Sequence, residues 1–291
     1  MLIKEYRTHF IKELLSIYDE KEIESFFYLI LEKNHPLKRI DLALNPELQL
    51  DDNQLKQWNA ILIELKNQRP IQYILQETFF CNLPFYVDEN VLIPRPETEE
   101  LVDLITSKNL KTNQTNNLKI LDIGTGSGCI AIALAKNIPN ALVFGIDVSE
   151  KALEVAQKNT KQNDVNVTFL LKNIFKVDNL NDSEDSQQFD IIVSNPPYVR
   201  NLEKAEINKN VLEYEPHLAL FVEDNDALLF YRKIASLAMK NLKPNGQLYF
   251  EINQYLGKET VELVENFGFK NVQLIKDNYG NDRIIAAEKG L

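Results

Sequence analysis

Ile120-Leu121-Asp122-Ile123-Gly124-Thr125-Gly126-Ser127-Gly128 is the stretch that decides the fold of this chain. Its first four residues read as a buried strand, and the apolar spacing from Ser127 to Ile138 predicts a helix directly behind it. Between the two, alternating glycines let the backbone bend sharply and approach a ligand with no Cβ in the way. Backbone N–H groups at the helix start, around Ser127 and Gly128, then face whatever lies above the sheet. A dinucleotide loop prefers G-x-G-x-x-G, whereas the spacing here is G-x-G-x-G behind an acidic residue. Taken alone it suits either a nucleoside site or a plain tight turn.

Working outward, strand and helix alternate to the end of the chain. Leu142 to Ile146 reads as a second strand, closed by Asp147, and Ser149 opens a helix running to about Gln162. Val165 to Leu171 and Ile191 to Ser194 follow as strands. A helix from Ala227 to Leu242 ends at Pro244-Asn245-Gly246, and Gln247 to Ile252 is the next strand. A helix from Lys258 to Phe267 and a strand pair, Val272 to Ile275 and Arg283 to Glu288, complete the pattern. Such alternation predicts an α/β fold, a doubly wound, mostly parallel seven-stranded sheet with an antiparallel hairpin at its edge. Lys108 to Asn117 and the acidic run Asp178 to Gln188 read as exposed, solvated segments.

Upstream the period changes. Phe10, Ile11, Leu14, Leu15 and Tyr18 fall at helical spacing, as do residues of Ile23 to Leu31 and the stripe Trp58, Ile61, Leu62, Leu65. Residues 1–75 are expected to form a small helical bundle, with Arg69-Pro70 closing it, either a structural cap or a docking module. Short alternating apolar residues from Phe79 to Ile93 predict a hairpin linker over 76–96, and Glu97-Thr98-Glu99-Glu100 starts the helix that opens the 97–291 domain.

A second motif, Asn195-Pro196-Pro197-Tyr198, comes straight off the apolar run ending at Ser194. A residue before proline is pushed out of the helical region, so Asn195 and Pro196 are both held extended. Neither proline has an N–H, so the turn does not close on its own hydrogen bonds. The Asn195 side-chain oxygen and the Pro196 carbonyl are then free to accept two N–H bonds from a planar amine or amide, and Tyr198 offers a flat face beside them. Asp147 stands where a carboxylate binds both hydroxyls of a ribose. In a doubly wound sheet all three features share one crevice at the carboxyl ends of the strands.

Composition sets bounds. Net charge is −11, from 32 basic against 43 acidic residues, which argues against affinity built on a phosphate backbone. No apolar run reaches membrane-spanning length, and the N-terminus carries no apolar signal region. Cys81 and Cys129 lie far apart without metal spacing, and His9, His35 and His217 are scattered, so no zinc site is expected and a reduced, cytoplasmic setting fits.

These motifs resemble the peptide chain release factor glutamine methyltransferases of the PrmC/HemK type. The matching residues are Val91-Leu92-Ile93-Pro94-Arg95-Pro96-Glu97-Thr98-Glu99, the loop at 122–128, Asn195 to Val199, Tyr214-Glu215-Pro216 before Ala219-Leu220, and Asn278-Tyr279-Gly280-Asn281-Asp282-Arg283. The resemblance implies a Rossmann-like domain that takes S-adenosylmethionine through Asp122, Gly124, Thr125, Gly126, Ser127, Gly128, Asp147, Asn173, Ile174 and Asn195. It implies that Asn195, Pro196, Pro197 and Tyr198 hold the substrate, with Asn195, Pro196 and Tyr198 catalytic. The implied substrate is the glutamine of a Gly-Gly-Gln tripeptide in release factors, docked by residues 1–75, with the enzyme a monomer that engages no membrane and no specific nucleic acid sequence.

Two residues depart from that pattern. Asn173 replaces an acidic residue expected to reach the adenine amino group, and Asn82 stands where glycine is common. Val199 to Leu218 reads as a cleft wall or lid. Within it Glu213 and Glu215 are either solvated or turned to a basic partner, and Arg95 either orients a neighbouring carboxylate or forms a salt bridge with the Glu97-Thr98-Glu99 turn. The rival reading, a nucleic-acid amino-methyltransferase acting on adenine or guanine, would use the same two acceptors.

Overall fold

Trp58 organises the N-terminal helices. Its ring meets Tyr6, Phe10 and Phe27 at centroid distances of 5.4, 6.1 and 5.0 Å, and its indole N–H donates to His35 Nε2 at 2.8 Å. His35 is thus a packing residue whose burial lowers its pKa. The computed structural model describes residues 1–111, 117–180 and 188–291, so parts of the two segments expected to be solvated lie outside the described residues.

The helices around Trp58 are α1 (Ile3–Leu14), α2 (Glu20–Asn34), α3 (Arg39–Leu44), α4 (Asp52–Lys66) and α5 (Ile71–Leu75). Asp19 and Asp51 cap α2 and α4 by accepting from Glu22 N–H and Gln54 N–H, and Gln54 completes a capping box. The bundle does not close at Pro70 as expected. Pro70 instead stands at the N-cap of α5, where a missing N–H costs no helical bond, and Ile71 and Tyr73 bury behind it.

After this come β1 (Thr78–Phe80), β2 (Leu83–Phe85), α6 (Pro96–Lys111), β3 (Lys119–Ile123), α7 (Cys129–Asn137), β4 (Leu142–Asp147), α8 (Glu150–Gln162), β5 (Val167–Leu171) and β6 (Phe189–Ser194). Then follow β7 (Val199–Arg200), α9 (Lys209–Tyr214), α10 (His217–Leu220), β8 (Phe221–Val222), α11 (Leu229–Asn241), β9 (Leu242–Glu251), α12 (Gly257–Asn266), β10 (Lys270–Lys276) and β11 (Asp282–Glu288). The chain divides into two compact units. One holds Met1–Gln76 together with Asn208–Tyr214; the other holds Glu77–Ile207 and Glu215–Leu291. The wall segment expected over Val199 to Leu218 is therefore divided, because α9 belongs to the helical unit, where the Tyr214 hydroxyl donates to the Asn67 carbonyl at 2.8 Å.

The sheet of the larger unit has seven strands in the order β10-β11-β9-β6-β3-β4-β5. β5, β4, β3, β6 and β9 are parallel, and β11 runs antiparallel to both β9 and β10. This is the doubly wound sheet with its edge hairpin. Its central strands bury both faces, so their residues alternate between two cores. Leu121, Ile192, Leu248 and Ile285 face α11 and α12, while Ile120, Ile191, Val193 and Tyr249 face α6 and α7. The β1–β2 hairpin has three residues in each strand, and Phe80 and Phe85 bury in the second of these cores. Its turn puts both Cys81 and Asn82 at positive φ, 49° and 60°, a conformation that asparagine tolerates well.

Strand order reverses beside β3. β4 and β5 extend to one side of it, and β6 returns to the other. Ligands of open α/β sheets collect at such a switch point, beyond the carboxyl ends of the strands.

Candidate active site

Ile123 and Ser194 are register partners at the ends of β3 and β6, so the glycine loop and Asn195-Pro196 leave the sheet side by side. The Ser194 hydroxyl reinforces this by donating to the Ile123 carbonyl at 2.6 Å. A cavity of about 270 Å³ opens above them, lined by Gly124 to Ser127, Asp147 to Ser149, Asn173 to Phe175 and Asn195 to Pro197. Arg95, Thr98, Pro216 and Leu218 line it as well. Thus the glycine loop, Asp147, the segment after β5 and the Asn195-Pro196-Pro197 run meet in one place.

The three loop glycines do different work. Gly124 and Gly126 lie at φ +74° and +53°, and a Cβ built on either meets nothing within 4 Å. They form an open cradle whose backbone is free to approach a ligand. Gly128 (φ +81°) is packed instead: a Cβ there would come within 3.1 Å of Ala156 and 3.0 Å of Ile132. It serves closeness between α7, α8 and the sheet rather than ligand contact.

Asp122 is fully buried beneath this loop and takes the Thr125 hydroxyl at 2.6 Å. Burial pushes its carboxyl up to about 7, while the Thr125 hydroxyl and the Ala131 N–H pull it back. Its position identifies it as the residue that stiffens the loop from below, since it does not line the cavity. Asp147 does line the cavity. Its Oδ2 accepts Gly126 N–H and its Oδ1 accepts Ser149 N–H, both at 2.9 Å. A carboxylate has about four lone-pair sites, so two remain for hydroxyls of a ligand.

Asn173 makes an Asx turn, its oxygen accepting Phe175 N–H at 2.9 Å at the start of a 3-10 turn over Ile174–Lys176. One acceptor site is therefore spent locally and one is left for a ligand amino group.

In the Asn195–Tyr198 motif, Pro196 is buried in the cavity wall and Asn195 is half-buried, its Nδ2 donating to Thr98 Oγ1 at 3.3 Å. Tyr198 differs from expectation. Its ring packs against the core beneath α11 and is absent from the cavity wall, and its hydroxyl donates to Glu251 Oε1 at 3.1 Å. Burial and the Glu251 charge push the phenol far above its ordinary range, so it remains a donor. The flat face expected to meet a substrate is turned inward.

Glu215 also departs from its expected place. It is 4% exposed and accepts from both Arg95 Nη2, at 2.6 Å, and Ile93 N–H, at 3.2 Å. The partner of Arg95 is thus this distant carboxylate and not the neighbouring Glu97-Thr98-Glu99 turn. Glu213 keeps a solvated role, 3.7 Å from Lys209 on the exposed side of α9. Reasoning from the sequence missed Thr98 and Glu251 altogether; Thr98 stands inside a motif, but nothing local tells which strand it reaches.

Comparison with known proteins gives a consistent picture. A family described as a methyltransferase domain matches residues 114–279, and a PrmC N-terminal domain matches residues 5–75. A release factor glutamine methyltransferase from Flavobacterium psychrophilum is 70% identical over 98% of this chain and 98% of its own. One from Bacteroides thetaiotaomicron is 43% identical over 97% of this chain and 99% of its own. Among solved structures, a 16S rRNA N2 G1207 methyltransferase from Thermus thermophilus aligns with a TM-score of 0.51 at 19% identity, covering 73% of this chain and 49% of that one. At that identity the likeness speaks for the fold alone.

Proposed function

The chain belongs to the release factor glutamine methyltransferase family, and from that premise we propose that it transfers a methyl group from S-adenosylmethionine to the side-chain amide nitrogen of a glutamine in a peptide chain release factor. The observation that carries the reading is the pairing of Ile123 with Ser194, which sets the Gly124–Gly126 cradle beside Asn195 and Pro196.

The residues fit the cofactor. Open space above Gly124 and Gly126 would receive its methionine part, the remaining lone pairs of Asp147 would suit ribose hydroxyls, and Asn173 and Ile174 would hold the adenine. When bound, S-adenosylmethionine supplies an electrophilic methyl on a sulfonium sulfur. The chain's own task is to present the nitrogen. An amide nitrogen is a poor nucleophile because its lone pair is delocalised into the carbonyl. Asn195 Oδ1 and the Pro196 carbonyl accept its two N–H bonds and aim the lone pair along the transfer line. Positioning of this kind is worth roughly 7–11 kcal/mol of a bimolecular barrier. Both acceptors also favour the positive charge that builds on nitrogen, and the N-alkylated cation then sheds a proton without a strong base. Tyr198 anchors the loop through Glu251 and leaves the substrate face to Pro196 and Pro197.

The helical unit, matched by the PrmC N-terminal domain, is assigned to docking the release factor, and the reaction to the cytoplasm where termination occurs. Among the described residues no helix is long and apolar enough to cross a membrane. The names of the relatives favour a protein substrate over a nucleobase.

The test is transfer of labelled methyl from S-adenosylmethionine to purified release factor, beside its Gln→Ala variant and duplex DNA. Label on the release factor that vanishes with that variant supports the reading. Label on DNA alone overturns it.

A further inference from the structure

Glu251, the last residue of β9, is 1% exposed and does not line the cavity, yet both its oxygens are engaged by residues that lead there. Oε2 accepts the Thr98 hydroxyl at 2.6 Å, and Oε1 accepts the Tyr198 hydroxyl. Thr98, itself 2% exposed, accepts in turn from Asn195 Nδ2. Three elements that are distant in sequence, α6, the end of β6 and the end of β9, thereby share one hydrogen-bonded chain.

We propose that Glu251 and Thr98 are positioning residues that fix which way round the Asn195 amide sits, and so give the substrate site its acceptor character. A carboxylate has no proton to give, so Thr98 must donate its single hydroxyl hydrogen to it. The Thr98 oxygen is left with lone pairs alone and accepts from Asn195. Asn195 must then offer its NH2 group to Thr98, which turns Oδ1 away from Thr98 and toward the substrate.

The order matters because an asparagine amide is nearly symmetric in shape. Turned over, it would set oxygen against the Thr98 lone pairs and put NH2 where a glutamine N–H needs an acceptor. The chain has a sense, and its origin is Glu251 as acceptor of both hydroxyls. Burial raises the Glu251 carboxyl above its ordinary range, and the Thr98 hydroxyl, the charge of Arg283 on the adjoining strand β11 and the Tyr198 hydroxyl pull against that toward the ionised form.

This inference rests on Asn195 being the acceptor for the substrate amide, so Asn195→Ala is measured alongside. The experiment is steady-state methyl transfer to release factor by the full chain, with cofactor affinity measured separately by calorimetry. Thr98→Val keeps the buried volume but removes the hydroxyl; kcat is expected to fall at least about tenfold, roughly 1.4 kcal/mol, with cofactor affinity unchanged. Thr98→Ser keeps the hydroxyl and is expected to restore kcat to within about twofold of the parent.

A readout that needs no variant is the nuclear Overhauser contact between the Asn195 side-chain NH2 and the Thr98 side chain. It is expected in the unmodified protein, and its absence overturns the proposal. Parental kcat in Thr98→Val, with Asn195→Ala inactive, overturns the relay while leaving the site intact. Full activity in Asn195→Ala removes the site reading and the relay together.

Discussion

Arg95 and Glu215 stand 120 residues apart in sequence and 2.6 Å apart at Nη2 and Oε1, joining the segment before α6 to the segment after α9. Glu215 is the deeper partner, with a side chain 1% exposed against 32% for Arg95. The asymmetry has an energetic consequence. Removing the arginine strands a buried carboxylate, whereas neutralising the carboxylate leaves a guanidinium that still reaches water.

Arg95→Ala is accordingly expected to destabilise more than Glu215→Gln. At roughly 3 kcal/mol, the low end for breaking a buried pair, its melting temperature falls by about 6–12 °C. Thermal unfolding followed by circular dichroism checks the order; a milder effect from Arg95→Ala than from Glu215→Gln contradicts it.

In the proposed mechanism, Asn195→Ala removes an acceptor that meets the charge developing on the amide nitrogen. Turnover is expected to drop by about 10²–10³-fold, with cofactor binding and melting temperature little changed. Comparing kcat with calorimetric affinity separates this from a folding defect.

Gly124→Ala and Gly145→Ala should fail in different ways. At Gly124 a methyl meets no protein atom but enters the space proposed for the cofactor, at φ +74°, so cofactor affinity falls more than stability. At Gly145 a methyl would come within 2.7 Å of the Phe169 ring and 2.9 Å of Thr125 Oγ1, so stability falls first. Calorimetry and urea unfolding on both variants check the contrast.

Asp122 makes stability depend on pH. Its folded pKa, about 7, lies above that of the unfolded chain, so the folded state holds this proton more tightly. The stabilisation is complete below about pH 4 and is lost as pH rises through 7. Asp122→Asn does not titrate. Its stability relative to the parent is expected to rise steadily across that window, and urea midpoints that run parallel from pH 4 to 7 would rule this out.

Much of the fold and part of the site are legible in the sequence because their causes are local. The glycines at 124, 126 and 128 set the turn by their own conformations, and the Asn195-Pro196-Pro197 run restricts itself. Strands of alternating destination, such as Ile120 and Leu121, announce a sheet covered on both faces. What escapes is settled by partners far away in sequence. Glu213 and Glu215 look alike two residues apart, yet one lies on exposed α9 and the other lies buried under Arg95. Thr98 reads as a first-turn helix residue, and only the arrival of β9 supplies Glu251. Tyr198 reads as an aromatic platform because sequence carries no record of the core that claims its ring.

The membership of α9 bears on how such a protein is assembled over evolutionary time. The polypeptide passes between the two units at 76/77, 207/208 and 214/215, three crossings where an appended module would need one. The helical part is therefore not a cassette that one recombination event can attach or exchange. A new N-terminal region grafted at residue 77 would inherit Asn208–Tyr214 shaped for its predecessor, with Tyr214 seeking an Asn67 carbonyl no longer there. Two units joined in this way are bound to change together.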